Sequence, residues 1–334
     1  RKAAGLPRLM WSEEYLFLLM HLTNVDRDDD KTTGVVRQLS DDELLERFKH
    51  CGEIWTAEHQ HLAEMLVLNC AAWRAFGDIE FIKVMGFMMD WDDAAEESLI
   101  QKALQHWRSG KTCCTRAYNP ARKCRAGEIA ARKTGGGEQR AYQICKNICR
   151  KLGRVRAAAA TIVEEARRSR SWQSTTTKLM SVSGYGGTGF LAKEVVQDLL
   201  HTPLFLQWCD RSGSWMQTCI DVDTWCPCGP GARKGLNLLQ HRQIDFGTSS
   251  VSLAEAFTTE LVAIFKWLQA RWPAMLENAP VRPLRLHSVK FQLCEFGKFC
   301  RAKAALPAGV RRYVAKIAAE CLQEGDDEAG QLGT

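Results

Sequence analysis

Long apolar runs are missing from this 334-residue chain. The longest, Ala157–Val163, falls far short of the roughly 20 residues that a membrane-spanning helix needs, so no membrane partner is expected. No apolar segment follows the basic N-terminus, and no secretory signal is expected either. The chain begins at Arg1, and other domains of a longer polypeptide could adjoin it. Alternating apolar–polar stretches are nearly absent, which argues against β-sandwiches and barrels. No Gly-x-x-x-x-Gly-Lys-Ser/Thr pattern occurs, so these residues hold no P-loop and are not a complete kinase. Regular cysteine spacing is lacking too. Fourteen cysteines at irregular intervals read as free thiols of an intracellular, reducing compartment, the nucleus if the source is eukaryotic. Cys226 and Cys228, with Cys209 and Cys219 upstream, make a Cys-x-Cys step that is not the usual zinc spacing. No metal and no cofactor is expected.

What is present is a globular composition, 46% apolar and 25% charged, with a net charge of +6. The charge is unevenly spread. Lys111–Arg170 carries sixteen Lys and Arg against four Glu and no Asp, while Asp41–Glu97 leans acidic. Such asymmetry can focus an anionic partner on one face, and nucleic acid is the leading candidate beside a merely solvated surface.

Helical periodicity runs through most of the chain. Ser12 and Ser40 read as N-caps, and the pattern after Ser40 continues to Phe76 with a break near Cys51–Gly52. Shorter helices are predicted in "DIEFIKVMGFM" and "AAEESLIQKALQHWRSG". A basic helical pair follows in "GGGEQRAYQICKNICRKL" and "VRAAAATIVEEARRS". Further helices are expected in "GTGFLAKEVVQDLLHTP", in "SLAEAFTTELVAIFKWLQARWP" and from about Leu286; "RLHSVKFQL" suits helix or strand. The expected fold is mostly all-α: one large domain over 1–321, with a Ser/Thr-rich boundary at Ser169–Ser181 that would divide lobes of about 12–170 and 181–321, and a disordered tail over 322–334.

In "CPCGPGARKGLNLLQH", Gly229, Gly231 and Gly235 clear side chains where something must come close, and Arg233 and Lys234 add charge at a predicted helix N-terminus. The pattern resembles the turn of a helix-hairpin-helix, which offers backbone N–H groups to a DNA phosphate. A plain glycine-rich cap is the competing reading. Polar groups also stand within apolar helices. Leu191, Glu194, Val195 and Asp198 share one face by their spacing, Arg74 lies inside "NCAAWRAFG", and Glu295, Lys298 and Arg301 are three apart. Arg27 and Asp30 repeat that spacing in "NVDRDDDKTT".

Six motifs now occur in order: "NVDRDDDKTT", "LNCAAWRAFG", "CCTRAYNP", "GGTGFLAKEVVQDLL", "GPGARKGLNLL" and "LCEFGKFCR". Together they resemble the helical domain of 5-hydroxymethyluracil DNA kinases and the related alpha-glutamyl/putrescinyl-thymine pyrophosphorylases. The resemblance covers Asn24–Arg301 and implies a helix-hairpin-helix, DNA glycosylase-like helical fold with double-stranded DNA as partner. It implies transfer of an amino acid or polyamine co-substrate onto phosphorylated 5-hydroxymethyluracil in DNA. It puts Arg27, Asp30, Arg74, Tyr118, Asp198, Glu295 and Lys298 around a pocket, with Tyr118 counted beside Gly229, Gly231, Arg233, Lys234 and Gly235 among the DNA contacts. Pyrophosphate leaving a pyrimidine methylene needs cations to meet its charge, and Arg27, Arg74 and Lys298 are candidates. The attacking amine must be neutral, so a carboxylate, Asp198 or Glu295, is expected to take its proton, or else to orient an arginine. The base would be flipped from the duplex.

Two features depart from the family. Its usual Cys-Glu-Phe-Asp-Lys-Tyr is Cys294-Glu295-Phe296-Gly297-Lys298-Phe299 here, one carboxylate and one hydroxyl fewer, and the insertion-like basic stretch Arg122–Arg156 is not placed on the family's pattern. A non-catalytic DNA-binding module and a DNA base glycosylase are therefore the alternative readings.

Overall fold

The computed structural model describes residues 34, 42–49, 55–114, 137–187, 189–240, 242, 251–270 and 284–305. The chain divides into two compact units, Lys31–Pro227 and a second that joins Arg1–Asp30 to Cys228–Thr334. The protein is mostly α-helical.

In the first unit the helices are α1 (Asp42–Lys49), α2 (Ala57–Phe76), α3 (Ile79–Met85), α4 (Asp93–Arg108), α5 (Gly137–Ser169), α6 (Trp172–Met180) and α7 (Phe190–Leu199). Thr56 starts α2 with a capping box: its hydroxyl accepts from the His59 amide at 3.3 Å, and the His59 ring accepts from the Thr56 amide at 3.1 Å. Gly77, at φ +68°, ends the helix in the left-handed conformation that glycine adopts without strain. Every residue of α2 from Met65 to Phe76 is buried, so this helix is the spine of the unit, packed by α5 and α7. Helix α7 is likewise buried from Ala192 onward and also meets α6.

The basic pair of helices predicted over 137–169 is one helix of 33 residues. The reason is an unbroken apolar stripe, Ile144, Ile148, Leu152, Val155, Ala159, Ile162 and Ala166, whose period carries through Gly153 without a phase change. The Ser/Thr-rich stretch expected as a boundary contains α6. Its β-branched residues favour helix poorly. Burial of Trp172 and Leu179 and a distant cap hold it: Asp221 accepts from the amides of Trp172 (2.6 Å) and Gln173 (3.0 Å) and from the Ser171 hydroxyl (2.7 Å). A hairpin, β1 (Leu206–Cys209) and β2 (Ser214–Gln217), adds two short strands that the sequence pattern did not predict.

The second unit contains α8 (Pro230–Leu239), α9 (Val251–Gln269) and α10 (Leu286–Ala305), with α8 and α9 both against α10. "RLHSVKFQL" is thus resolved as helix from Leu286. Among the described residues no explicit helix-hairpin-helix is identified at Gly229–Gly235. Residues 218–229 form no helix, Gly229 is the N-cap, and Pro230 opens α8 at a position where its missing N–H costs nothing. The glycines serve packing. A Cβ on Gly231 would lie 3.1 Å from Cys294 Sγ, and one on Gly235 only 1.8 Å from the Leu293 carbonyl oxygen.

Candidate functional site

Two groups of charged side chains lie inside these helices. In the first unit, Arg74 in the last turn of α2 meets Asp198 near the end of α7, 124 positions away in sequence. Arg74 Nε donates to Asp198 Oδ2 at 2.6 Å and Nη2 donates to Oδ1, a two-pronged pairing that fixes the guanidinium plane. Glu194 Oε2 stands 3.7 Å from Arg74 Nη1, and Glu194 Oε1 pairs with Lys193. All four residues are at most 4% exposed, and two positive and two negative charges offset one another. Neutrality is the condition under which burial of this kind is tolerable. Cys70, one turn before Arg74, has its thiol pushed well up by burial and by Asp198, against the pull of Arg74. Tyr185, fully buried, is raised by desolvation alone.

In the second unit, Lys298 Nζ donates to Glu295 Oε1 at 2.5 Å on α10. Glu295 is 1% exposed while the Lys298 side chain is 52% exposed, so the lysine bridges a buried carboxylate to solvent. Among the described residues the second Glu295 oxygen, Oε2, has no hydrogen-bond partner. Buried Arg233 and Lys290 flank Cys228, whose thiol is raised by burial in spite of both cations. Lys290 also lies close to Gly229, where an added Cβ would be 3.4 Å from Lys290 Cε. Lys234 is exposed. Gly297 packs on α8: a Cβ there would be 3.4 Å from the Gly235 nitrogen and 3.5 Å from its Cα.

The structure therefore joins Arg74 to Asp198, and Glu295 to Lys298, in different units. Arg27, Asp30 and Tyr118 lie outside the described residues. Sequence reasoning passed over Lys193 and Lys290. A lysine amid the apolar residues of "GFLAKEVVQDLL" was the available signal for the first, whereas the helix–strand ambiguity of "RLHSVKFQL" hid the face on which Lys290 lies. Among the described residues no cluster of three or more His, Cys, Asp or Glu is arranged to hold a metal ion, and the cysteines among them are free thiols. No described helix is long and apolar enough to cross a membrane.

Helix-borne charges sealed among apolar helices define a helical domain in which α-helices alone position the polar groups. Residues 1–307 match the family described as 5-hmdU DNA kinase, helical domain, and the chain belongs to that family. Searches of curated proteins and of solved structures returned no match.

Proposed function

We propose that this chain acts on DNA containing 5-hydroxymethyluracil, as a base-modifying transferase that replaces the pyrophosphate of the phosphorylated base with an amino acid or polyamine. The observation that supports the reading is the meeting of Arg74 and Asp198, two residues within the motifs that resemble the family's, which the fold brings together from distant segments. Their geometry divides the roles. Both oxygens of Asp198 are engaged by Arg74, so Asp198 acts as the group that orients the arginine. Glu295 is the proton acceptor for the amine, because one of its oxygens is not committed within the protein. Lys298, reaching solvent from the same carboxylate, meets the departing pyrophosphate.

The test is a duplex oligonucleotide bearing 5-hydroxymethyluracil diphosphate, incubated with a mixture of amino acids and polyamines. The expected outcome is pyrophosphate release and a base whose mass changes by loss of the diphosphate ester and gain of the amine, the methylene C–O bond being replaced by C–N. Glu295→Gln should slow the step by about 10²–10⁴-fold with DNA affinity retained, the range for a positioned proton acceptor. An abasic site in plain DNA would establish the glycosylase reading instead. A second reading, a DNA-binding module without catalysis, is favoured by the full burial of Arg74 and by Gly297, which packs against α8 where the family usually carries an aspartate. Binding without any change of base mass would decide for it.

A further inference from the structure

A pocket of about 250 Å³ opens in the first unit, away from the residues discussed so far, between the end of α1, the last turn of α5 and the β1–β2 hairpin. Three tryptophans line it. Trp208 and Trp215 are direct cross-strand partners, their rings 5.6 Å apart and edge to face, and Trp55 precedes α2. Three cations line it as well: Lys49, Arg167 and Arg170. Lys49 Nζ lies 4.5 Å from the centroid of the Trp208 ring, and the Arg167 guanidinium 4.0 Å from that of Trp55. Lys49 also pairs with Glu46, but among the described residues no carboxylate lines the pocket.

Arg170 differs from the other two. Its Nη1 donates to the Leu204 carbonyl and the Thr218 hydroxyl, both at 3.2 Å, which ties the guanidinium to the base of the hairpin. Its backbone has φ +49°, the sole positive value at a non-glycine among the described residues. This left-handed backbone ends α5, and the Arg170 amide donates to the Ala166 carbonyl at 2.9 Å.

Ring faces beside cations, with no anion on the wall, select a ligand that is aromatic and negatively charged. A cationic ligand would meet three like charges, and an acidic peptide would leave the indoles unused. The volume lies below the range of about 300–1,000 Å³ typical of pockets that enclose a whole drug-sized ligand, which suits one ring system with its charged part at the mouth. We propose that this pocket binds a single unpaired nucleotide, its base stacked on the tryptophans and its phosphate met by Lys49 and Arg167. Both cations are partly exposed, where a cation–π contact is weaker than in a desolvated site, so they can move from ring to phosphate. The nucleotide can belong to a single strand of DNA or be free in solution. Neither case depends on the transfer chemistry proposed above.

The experiment measures binding of the 334-residue chain to an unmodified, dye-labelled oligothymidylate by anisotropy, and to dTMP by quenching of tryptophan fluorescence. Neither probe contains 5-hydroxymethyluracil or an amine, so the result stands apart from any failure of transfer. Trp208→Ala should weaken the oligonucleotide by about 5- to 150-fold, the span of base–aromatic stacking. Arg167→Gln should reduce the slope of log affinity against log salt by about 0.7, one phosphate contact on a single strand. Trp208→Phe, which keeps a ring, should restore most of the loss, and circular dichroism checks that each variant is folded. Binding of dTMP alone, lost in Trp208→Ala, assigns the pocket to free nucleotides; binding of the oligonucleotide with the same sensitivity assigns it to a strand. The proposal is overturned if neither probe binds, if both substitutions leave affinity unchanged, or if poly-glutamate competes as well as the oligonucleotide.

Discussion

Two clusters in the Lys31–Pro227 unit use the same chemistry in opposite ways. Around Arg74 every cation faces a carboxylate, the four charges sum to zero, and all four residues are buried. Around Trp208 the cations lie against indole rings, no carboxylate lines the hollow, and the side chains are partly exposed. The difference separates two uses of positive charge. A cation sealed with its counter-charge holds helices in one register and fixes an orientation. A cation placed on an aromatic face beside open space is held loosely enough to take up an anion from outside.

The largest expected effect breaks the sealed cluster. Arg74→Ala leaves the Asp198 carboxylate buried without its partner and should cost about 3–5 kcal/mol in urea denaturation. The double replacement Arg74→Met with Asp198→Leu should recover most of that loss. In the open pocket Arg167→Gln should cost only about 0.5–1 kcal/mol, the worth of an exposed cation–π contact. Similar losses from Arg74→Ala and Arg167→Gln would erase the distinction.

A smaller effect sharpens the comparison for the Arg233–Lys234 stretch. If its glycines serve packing, Gly235→Ala should destabilise by about 1–3 kcal/mol, as over-filled interiors do, because the atom its Cβ would strike is backbone and cannot turn aside. Lys234→Ala, on the exposed side of α8, should leave the thermal midpoint unchanged. A stable Gly235→Ala protein would return the glycines to a ligand role.

The smallest effect is kinetic. Cys70 lies within the sealed cluster and its thiol is raised, and burial pushes Cys149 and Cys219 up to about 12. Cys209, at the end of β1, is lowered by hydrogen bonds from Ser212 and is partly exposed. Since the thiolate is the reactive form, iodoacetamide near neutral pH should label Cys209 before the other three, followed by peptide mass analysis. Equal rates would mean that the interior opens faster than the reagent reacts.

Much of this arrangement was legible in the order of residues. Period and caps located α2 and its end at Phe76, the start of α10 near Leu286, and the placement of Arg74, Glu194 and Asp198 within apolar helices. What escaped has a shared cause. The start of helix α6 is capped by Asp221, about 50 residues further along the chain, and the β1–β2 hairpin is too short for its alternation to stand out. For glycines 229–235 the sequence shows that side chains are missing but not what lies beside them: the Lys290 side chain at Gly229, the Cys294 side chain at Gly231 and the α10 backbone at Gly235.

The sequence by itself determined a helical protein with charges embedded in apolar helices, since periodicity and side-chain type are local properties of the chain. Only the tertiary structure decided which charges offset one another, which glycines exist for close packing, and where three indoles and three cations share a wall. Those outcomes depend on distances between segments far apart in the chain, and a buried charge acquires its role only from the partner that the fold sets beside it.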